Sequence, residues 1–316
     1  MIDPVRAAAR ALFTSSLGPE DRVLITGAAG WFGRTIAALL HGSDTPALFL
    51  TQNPRAVPNG LGNFPAAEWD SRSIAEFAPT VVFDCAFILR DSLTHMSLDR
   101  YVHINTVLTS RLLQLASLAS VRGVISVSSG AAIHPRDAAV DDLELNPYGY
   151  LKRQAELAVS MVGVETGTPV LVARPWSVSG GLVTRPDRYA FSNLILQARA
   201  GAIRIEANHP VLRRYIGVDD FFAVSLASVG RSPGTLNSGG ELVEFSALAS
   251  RITQTLGLEV EISRPEVTDS DPDDYYPRDS SWLRACESNN FEPADLDEQI
   301  RAVDGMLRIS ANPHKT

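Results

Sequence analysis

The sequence predicts an α/β fold, a doubly wound parallel sheet with a smaller C-terminal substrate-binding lobe. Three observations predict it. Short apolar runs rich in β-branched residues alternate with helical patterns through residues 21–176. The first run enters a glycine cluster that opens a helix. Residues able to do chemistry fall where successive strands end, which is where such sheets bind ligands.

A chain of 316 residues is long enough for one large α/β domain or two closely joined lobes. Its net charge of −8 gives no footprint for nucleic acid. No apolar run approaches the roughly 18 residues a membrane span needs, so no membrane partner is expected. Cys85 and Cys286 are too few for a disulfide framework or a zinc site, and free thiols suit a reducing cytoplasm. The histidines, His41, His95, His103, His134, His209 and His314, show no metal-ligand spacing, and no metal is expected. At the N-terminus, Asp3 and Pro4 read as a helix cap and first position. Val5, Ala8, Ala9, Leu12 and Phe13 then form one apolar stripe ending near 15–18, with a transit peptide as the alternative.

Residues 21–26 form the first strand, followed by Gly27-Ala28-Ala29-Gly30-Trp31-Phe32-Gly33 and a helix through Leu40. Gly27 permits the sharp turn, Gly30 lets a pyrophosphate approach the backbone, and Gly33 lets helix and strand pack closely. The helix N-terminus favours the phosphate charge. A second strand, 47–50, should end on the residue that reads the adenosine ribose. NAD sites usually offer Asp or Glu there, but the chain reads Thr51-Gln52-Asn53-Pro54-Arg55. Arg55 and Arg34 suit a 2′-phosphate, which favours NADP with NAD as the alternative; Arg55 as a solvated loop residue is the competing reading. Asp70 either bonds adenine or caps the helix over 71–77.

The next strand, 81–86, carries Asp84 and Ala86 toward the same edge. A helix over 98–120 contains Asn105, and a strand over 124–127 ends in Ser128-Ser129-Gly130. Asn146 then caps a helix with Pro147 at its first position. Tyr148 and Lys152 stand one turn apart on that helix, so the ammonium is expected to lower the phenol's pKa and fit it for proton transfer. The helix runs to about 162. The strand over 169–173 ends in Arg174-Pro175-Trp176, and residues 264–278, rich in Asp, Pro and Tyr, read as a surface loop or lid.

In this order the motifs resemble the extended short-chain dehydrogenase/reductase family, of the kind that modifies nucleotide-activated sugars. Residues 26–33 are similar to TGxxGxxG, 146–152 to NPYxxxK, 174–180 to RPxNVxG with Ser177 for Asn, and 213–220 to RDxIxVxD. Asn105 and Ser129 fall where the family keeps its helix asparagine and catalytic hydroxyl. The resemblance spans residues 21–308 and implies a Rossmann-like sheet. It assigns catalysis to Ser129, Tyr148 and Lys152, with Asn105 holding either its helix or a water behind Lys152.

The resemblance implies that Gly27, Ala29, Gly30, Trp31, Phe32, Gly33, Arg34, Arg55, Asp70, Ala86, Tyr148, Lys152 and Pro175 hold the dinucleotide. Ser129, Tyr148, Asn193 and Arg213 would hold the substrate; a helix cap is the equal alternative for Asn193. Residues 1–176, with 218–245 returning, form the dinucleotide lobe, and 177–217 with 246–316 the substrate lobe. Relatives pair through helices matching 98–120 and 147–163, which implies a homodimer.

Some positions depart from the family pattern. Gly130-Ala131 stand where dehydratases place Asp-Glu, which counts against water elimination. Asp84 and Phe87 replace His and the last Ala of HxAA. The first reading is therefore an NADP-dependent reductase of a keto group on a nucleotide-activated deoxysugar. The alternative is an NAD-dependent nucleotide-sugar epimerase of the C4 type. A non-catalytic NADP-sensing protein is the third, and the intact tyrosine and lysine count against it.

Overall fold

Alternation along the chain becomes alternation in space. The computed structural model describes residues 3–134, 140–231, 234–268 and 271–311. His314 and residues 269–270 of the predicted lid lie outside them.

The first part of the chain runs α1 (Ala7–Ser15), β1 (Val23–Thr26), α2 (Trp31–Leu39), β2 (Ala47–Phe49), β3 (Arg55–Pro58), β4 (Asn63–Ala66), α3 (Ser71–Phe77) and β5 (Val81–Asp84). It continues through α4 (Leu98–Ala116), β6 (Gly123–Val127), α5 (Pro147–Thr166), β7 (Val170–Arg174), β8 (Ser177–Ser179) and α6 (Ala190–Ala200). After these come β9 (Ala202–Arg204), β10 (Val211–Gly217), α7 (Val218–Ser228), β11 (Thr235–Asn237), β12 (Glu241–Glu244) and α8 (Phe245–Leu256). The chain closes with β13 (Glu261–Ser263), β14 (Asp273–Tyr275), α9 (Ser281–Ser288) and α10 (Leu296–Ala311).

Six strands form the central sheet in the order β11-β7-β6-β5-β1-β2, all parallel. Every residue of β1, β5 and β6 is buried, as strands covered on both faces require. Successive side chains feed opposite cores. Val23, Ile25, Phe83 and Ile125 join the layer of α1, α2 and α7. Leu24, Val82 and Val124 join Ile74, Leu112, Leu115 and Val159 beneath α3, α4 and α5.

A smaller sheet runs β12-β10-β14, with β8 also on β10. It packs under α6, α8 and α10 through Ile195, Tyr215, Leu248, Ile252 and Ile300. After β10 the chain returns to the large sheet through α7 and β11, while β12 pairs with β10.

Two expectations need correction. The first helix starts at Ala7, with Arg6 rather than Asp3 at its cap. Asp219 takes the Arg6 amide at 2.7 Å and Asp220 takes its guanidinium at 2.9 Å, which fixes the chain short of a helical turn. Residues 264–278 are not all loop, because β14 pairs with β10 and sets Arg213 against Tyr275. Among the described residues no helix is long and apolar enough to cross a membrane.

Candidate active site

The turn after β1 is built for close backbone approach. Gly27 has φ +64°, and a Cβ there would lie 2.8 Å from the backbone of Cys85 and Ala86. At Gly33 a Cβ would lie 2.5 Å from the Ala28 Cα, so helix and turn touch. Gly30 ends the turn as the extended cap of α2, whose free amides face the loop. The Thr26 hydroxyl accepts from the amides of Cys85 and Ala86 at 3.1 Å each, tying the ends of β1 and β5 together. Ala29 and Trp31 flank the turn, and the Trp31 indole nitrogen is buried without a partner.

Arg55 opens the β3–β4 hairpin rather than lying in a loop. It and Arg34 are close enough that Arg55, after burial, pulls the Arg34 guanidinium below its ordinary range. The buried Arg34 Nε has no partner, and neither arginine has an ion pair among the described residues. Two unneutralised guanidiniums beside the glycine turn fit an anionic group on a dinucleotide. Asp70 caps α3, accepting from the Ser73 amide at 2.9 Å.

Tyr148 reaches the serine turn because α5 starts so close to it. Asn146 accepts from the Gly149 amide at 3.2 Å, and a Cβ at Gly149 would lie 2.2 Å from the Ala131 carbonyl. Ser129 and Tyr148 line one cavity of about 590 Å³, with Phe32, Pro175, Trp176, Arg213 and Tyr275. The Pro175 carbonyl accepts from Gly130 at 3.2 Å, and a Cβ at Gly130 would meet Trp176 at 2.4 Å. Lys152 is buried; its Nζ donates to the Val127 carbonyl at 2.6 Å and lies 3.9 Å from the Phe87 ring centre.

The expected effect of the lysine on the phenol is not what the structure shows. Burial, against Phe87 at 5.6 Å, holds Tyr148 above its ordinary range, and Ser129 draws it partly back. Lys152 does not lower it, because its ammonium is turned to Val127. Burial brings Lys152 itself down to about 8, opposed by Asp84.

Asn105 clamps residue 88, accepting from the Ile88 amide at 2.9 Å and donating to its carbonyl at 3.4 Å. It thereby anchors α4 to the segment after β5.

Arg213 is buried and bonded to Asp273, at 2.8 Å to the carboxylate and 2.7 Å to the carbonyl. Asn193 does not line the tyrosine cavity. It donates to the Asp187 carbonyl at 2.7 Å and accepts from Gln197 at 2.8 Å, facing a second cavity of about 510 Å³. The two cavities meet at Arg188, Ala190, Arg213 and Phe245.

Sequence reading missed Asp273 and Tyr275. The Tyr275 hydroxyl lies 3.4 Å from the Ser129 Oγ and its ring 4.9 Å from Trp176. Their sole signal was the tyrosine- and aspartate-rich stretch read as a lid. Composition is uneven as well: the chain holds 26 arginines but only two lysines, Lys152 and Lys315.

A parallel sheet with a glycine turn after β1, a serine after β6 and a tyrosine and lysine on α5 defines a nicotinamide-dependent oxidoreductase of the short-chain type. The chain belongs to the NAD dependent epimerase/dehydratase family, which matches residues 23–237. It is an enzyme of that type. No curated protein matches its sequence.

Solved structures share the fold. UDP-glucose 4-epimerase from Thermotoga maritima, bound to UDP-glucose, is 20% identical with a TM-score of 0.70, over 92% of this chain and 99% of that one. MoeE5 in complex with UDP-glucose and NAD is 24% identical with a TM-score of 0.70, over 92% and 99%. UDP-N-acetylglucosamine 4-epimerase from Methanobrevibacter ruminantium, with UDP-N-acetylmuramic acid, is 18% identical with a TM-score of 0.71, over 92% and 99%.

Proposed function

We propose that this enzyme epimerises a nucleotide-activated sugar by removing and returning a hydride at one carbinol carbon. The observation that carries the reading is the pair of cavities joined at Arg188 and Arg213, with Ser129 and Tyr148 in one of them. Such a space suits a ligand with a reacting ring, an anionic link and a second head group, and guanidinium suits the link. Structural neighbours named as UDP-sugar 4-epimerases support the same reading. Gly130 and Ala131, following Ser129, offer no acid for water elimination.

The dinucleotide supplies a hydride acceptor and donor. Gly27, Gly30, Phe32 and Gly33 would cradle its phosphates, and Ala86, Pro175 and Lys152 would border its nicotinamide half. Tyr148 acts as the phenolate, accepting the substrate hydroxyl proton as the hydride leaves and giving it back on return, so its phenol must first lose the proton that burial favours. Ser129 donates a hydrogen bond to the same oxygen as charge develops. In this division of labour the large sheet holds the dinucleotide and the smaller sheet, with α6, α8 and α10, holds the sugar nucleotide. A homodimer through α4 and α5 belongs to the proposal, since Val107, Leu157, Met161 and Val164 are exposed there.

A second reading, NADPH-dependent reduction of a keto group on a nucleotide deoxysugar, is favoured by Arg34 and Arg55. One experiment separates the two. The protein is denatured, any released dinucleotide is identified, and the emptied protein is titrated with NADPH and NADH. UDP-glucose, UDP-galactose and their N-acetyl forms are then incubated with the intact protein. Retained NAD with interconversion of a sugar pair supports the epimerase. Empty protein that prefers NADPH and leaves all four sugars unchanged overturns it in favour of the reductase.

A further inference from the structure

Lys152 is a buried ammonium, and a buried charge needs a counter-charge. The groups facing it can be named from every element packed around it. From α5 come Tyr148, whose phenol is held neutral by burial, and Glu156. Glu156 is occupied: Arg174 on β7 binds it at 2.8 and 2.6 Å, and the Ser128 hydroxyl bonds it too. From β6 comes only the Val127 carbonyl, at 2.6 Å. After β5 come Cys85, whose thiol burial keeps neutral, and Phe87. That leaves Asp84, the last residue of β5.

Asp84 is buried and accepts from the Thr26 hydroxyl at 2.6 Å. The same hydroxyl is fixed by the amides of Cys85 and Ala86 at 3.1 Å, so the carboxylate is held rather than mobile. Asp84, Lys152 and Glu156 line one small internal cavity with Ser126, Ser128 and Thr109. Among the described residues no arginine lines it.

We propose that Asp84 is a positioning residue for Lys152: its carboxylate, held by Thr26, is the counter-charge that keeps the buried ammonium protonated one helical turn from Tyr148. The inference rests on the reading of Tyr148 and Lys152 as the reacting pair. Asp84 touches neither substrate nor dinucleotide in this role. It acts through the charge of Lys152, opposing the burial that brings the lysine down to about 8. Asp84 itself is pushed up to about 6 by burial, against Thr26 and Lys152, so the counter-charge is present at neutral pH and removed below it.

The two-lysine composition makes the test direct. Lysine labelled with carbon-13 at Cε gives two resonances, and Lys152→Met assigns them. In Asp84→Asn the Lys152 titration is expected about one unit or more lower, since an opposite charge across the shared cavity is lost. Asp84→Glu should restore most of the shift, and Lys315 should not move. A folded Asp84→Asn protein with an unchanged Lys152 titration overturns the proposal.

If that variant does not fold, the wild-type protein decides. The Lys152 resonance should show a second inflection where Asp84 takes up its proton, and a single inflection overturns the proposal. The titration needs no substrate. Failure of every nucleotide sugar to react would therefore sink the functional reading and leave the Asp84 result standing. Where a sugar does react, the alkaline limb of kcat in Asp84→Asn should move to lower pH by the same shift.

Discussion

A phenol at the bottom of this cleft is disfavoured as an anion before any ligand arrives. Tyr148 is raised by burial, and only Ser129 among its close neighbours opposes this. The ammonium one turn along the helix is turned to the Val127 carbonyl and is not among the groups that offset this burial. Arginine would not serve there: the planar, always charged fork cannot tune its pKa, whereas a buried lysine does. This gives a physical reason for a lysine at that place in a chain with 26 arginines and one other lysine, Lys315. Tyr148→Phe should lower kcat by about 10²–10⁴-fold and leave dinucleotide affinity, followed by fluorescence titration, within about twofold of wild type; an active Phe variant would remove Tyr148 from the chemistry. At the far end of the dinucleotide site, Arg34→Ala with Arg55→Ala should weaken NADPH binding and spare NADH. Equal loss of both would assign the arginines to the fold. Asp84 also marks stability. Its folded pKa, about 6, lies above the ordinary 3.8, so its contribution is full below 3.8 and is lost as pH rises through about 6. Asp84→Asn should flatten the fall in Tm across that window in thermal melts.

Elements show why some of the site was legible and some was not. The glycine turn and the capped start of α5 are contiguous in sequence, and their spacing alone brings the right groups to one strand end or helix face. Asn146→Ala should cost about 1 kcal/mol in urea unfolding, the usual value of an N-cap. Gly149→Ala should cost more than a helical alanine would suggest. Its Cβ falls 2.2 Å from the Ala131 carbonyl, so α5 must withdraw from the serine turn and kcat must fall with stability. Neither Tyr275 nor Asp273 could be placed in this way. They meet Ser129 and Arg213 across sequence separations of 146 and 60 residues, through a three-residue strand with no periodicity to read. The direction of the Tyr148 shift was misread for a related reason: the lysine's spacing is local, but burial and the pull of Val127 are tertiary. Asn193 faces the second cavity, and its helix position alone does not say which side of Arg213 it falls on.

For the whole molecule, the exposed apolar row on α5 and α4 is the feature that two copies would cover. Val164 is 84% exposed and Met161 63% exposed. Met161→Glu with Val164→Glu should convert a dimer to monomers in sedimentation velocity while leaving the fold intact by circular dichroism. Monomeric wild-type protein at micromolar concentration would end the dimer proposal. A different consequence attaches to the short first helix. Arg6 delivers its guanidinium to Asp220, fully buried, and its amide to Asp219. Burial raises both acids, and Arg6 opposes it. The family match begins at residue 23. A chain trimmed to that border would keep two acids in its interior and lose the base that answers them, and it would weaken further as the medium became more alkaline. The stretch before the family match is thus tied into the fold by a buried ion pair.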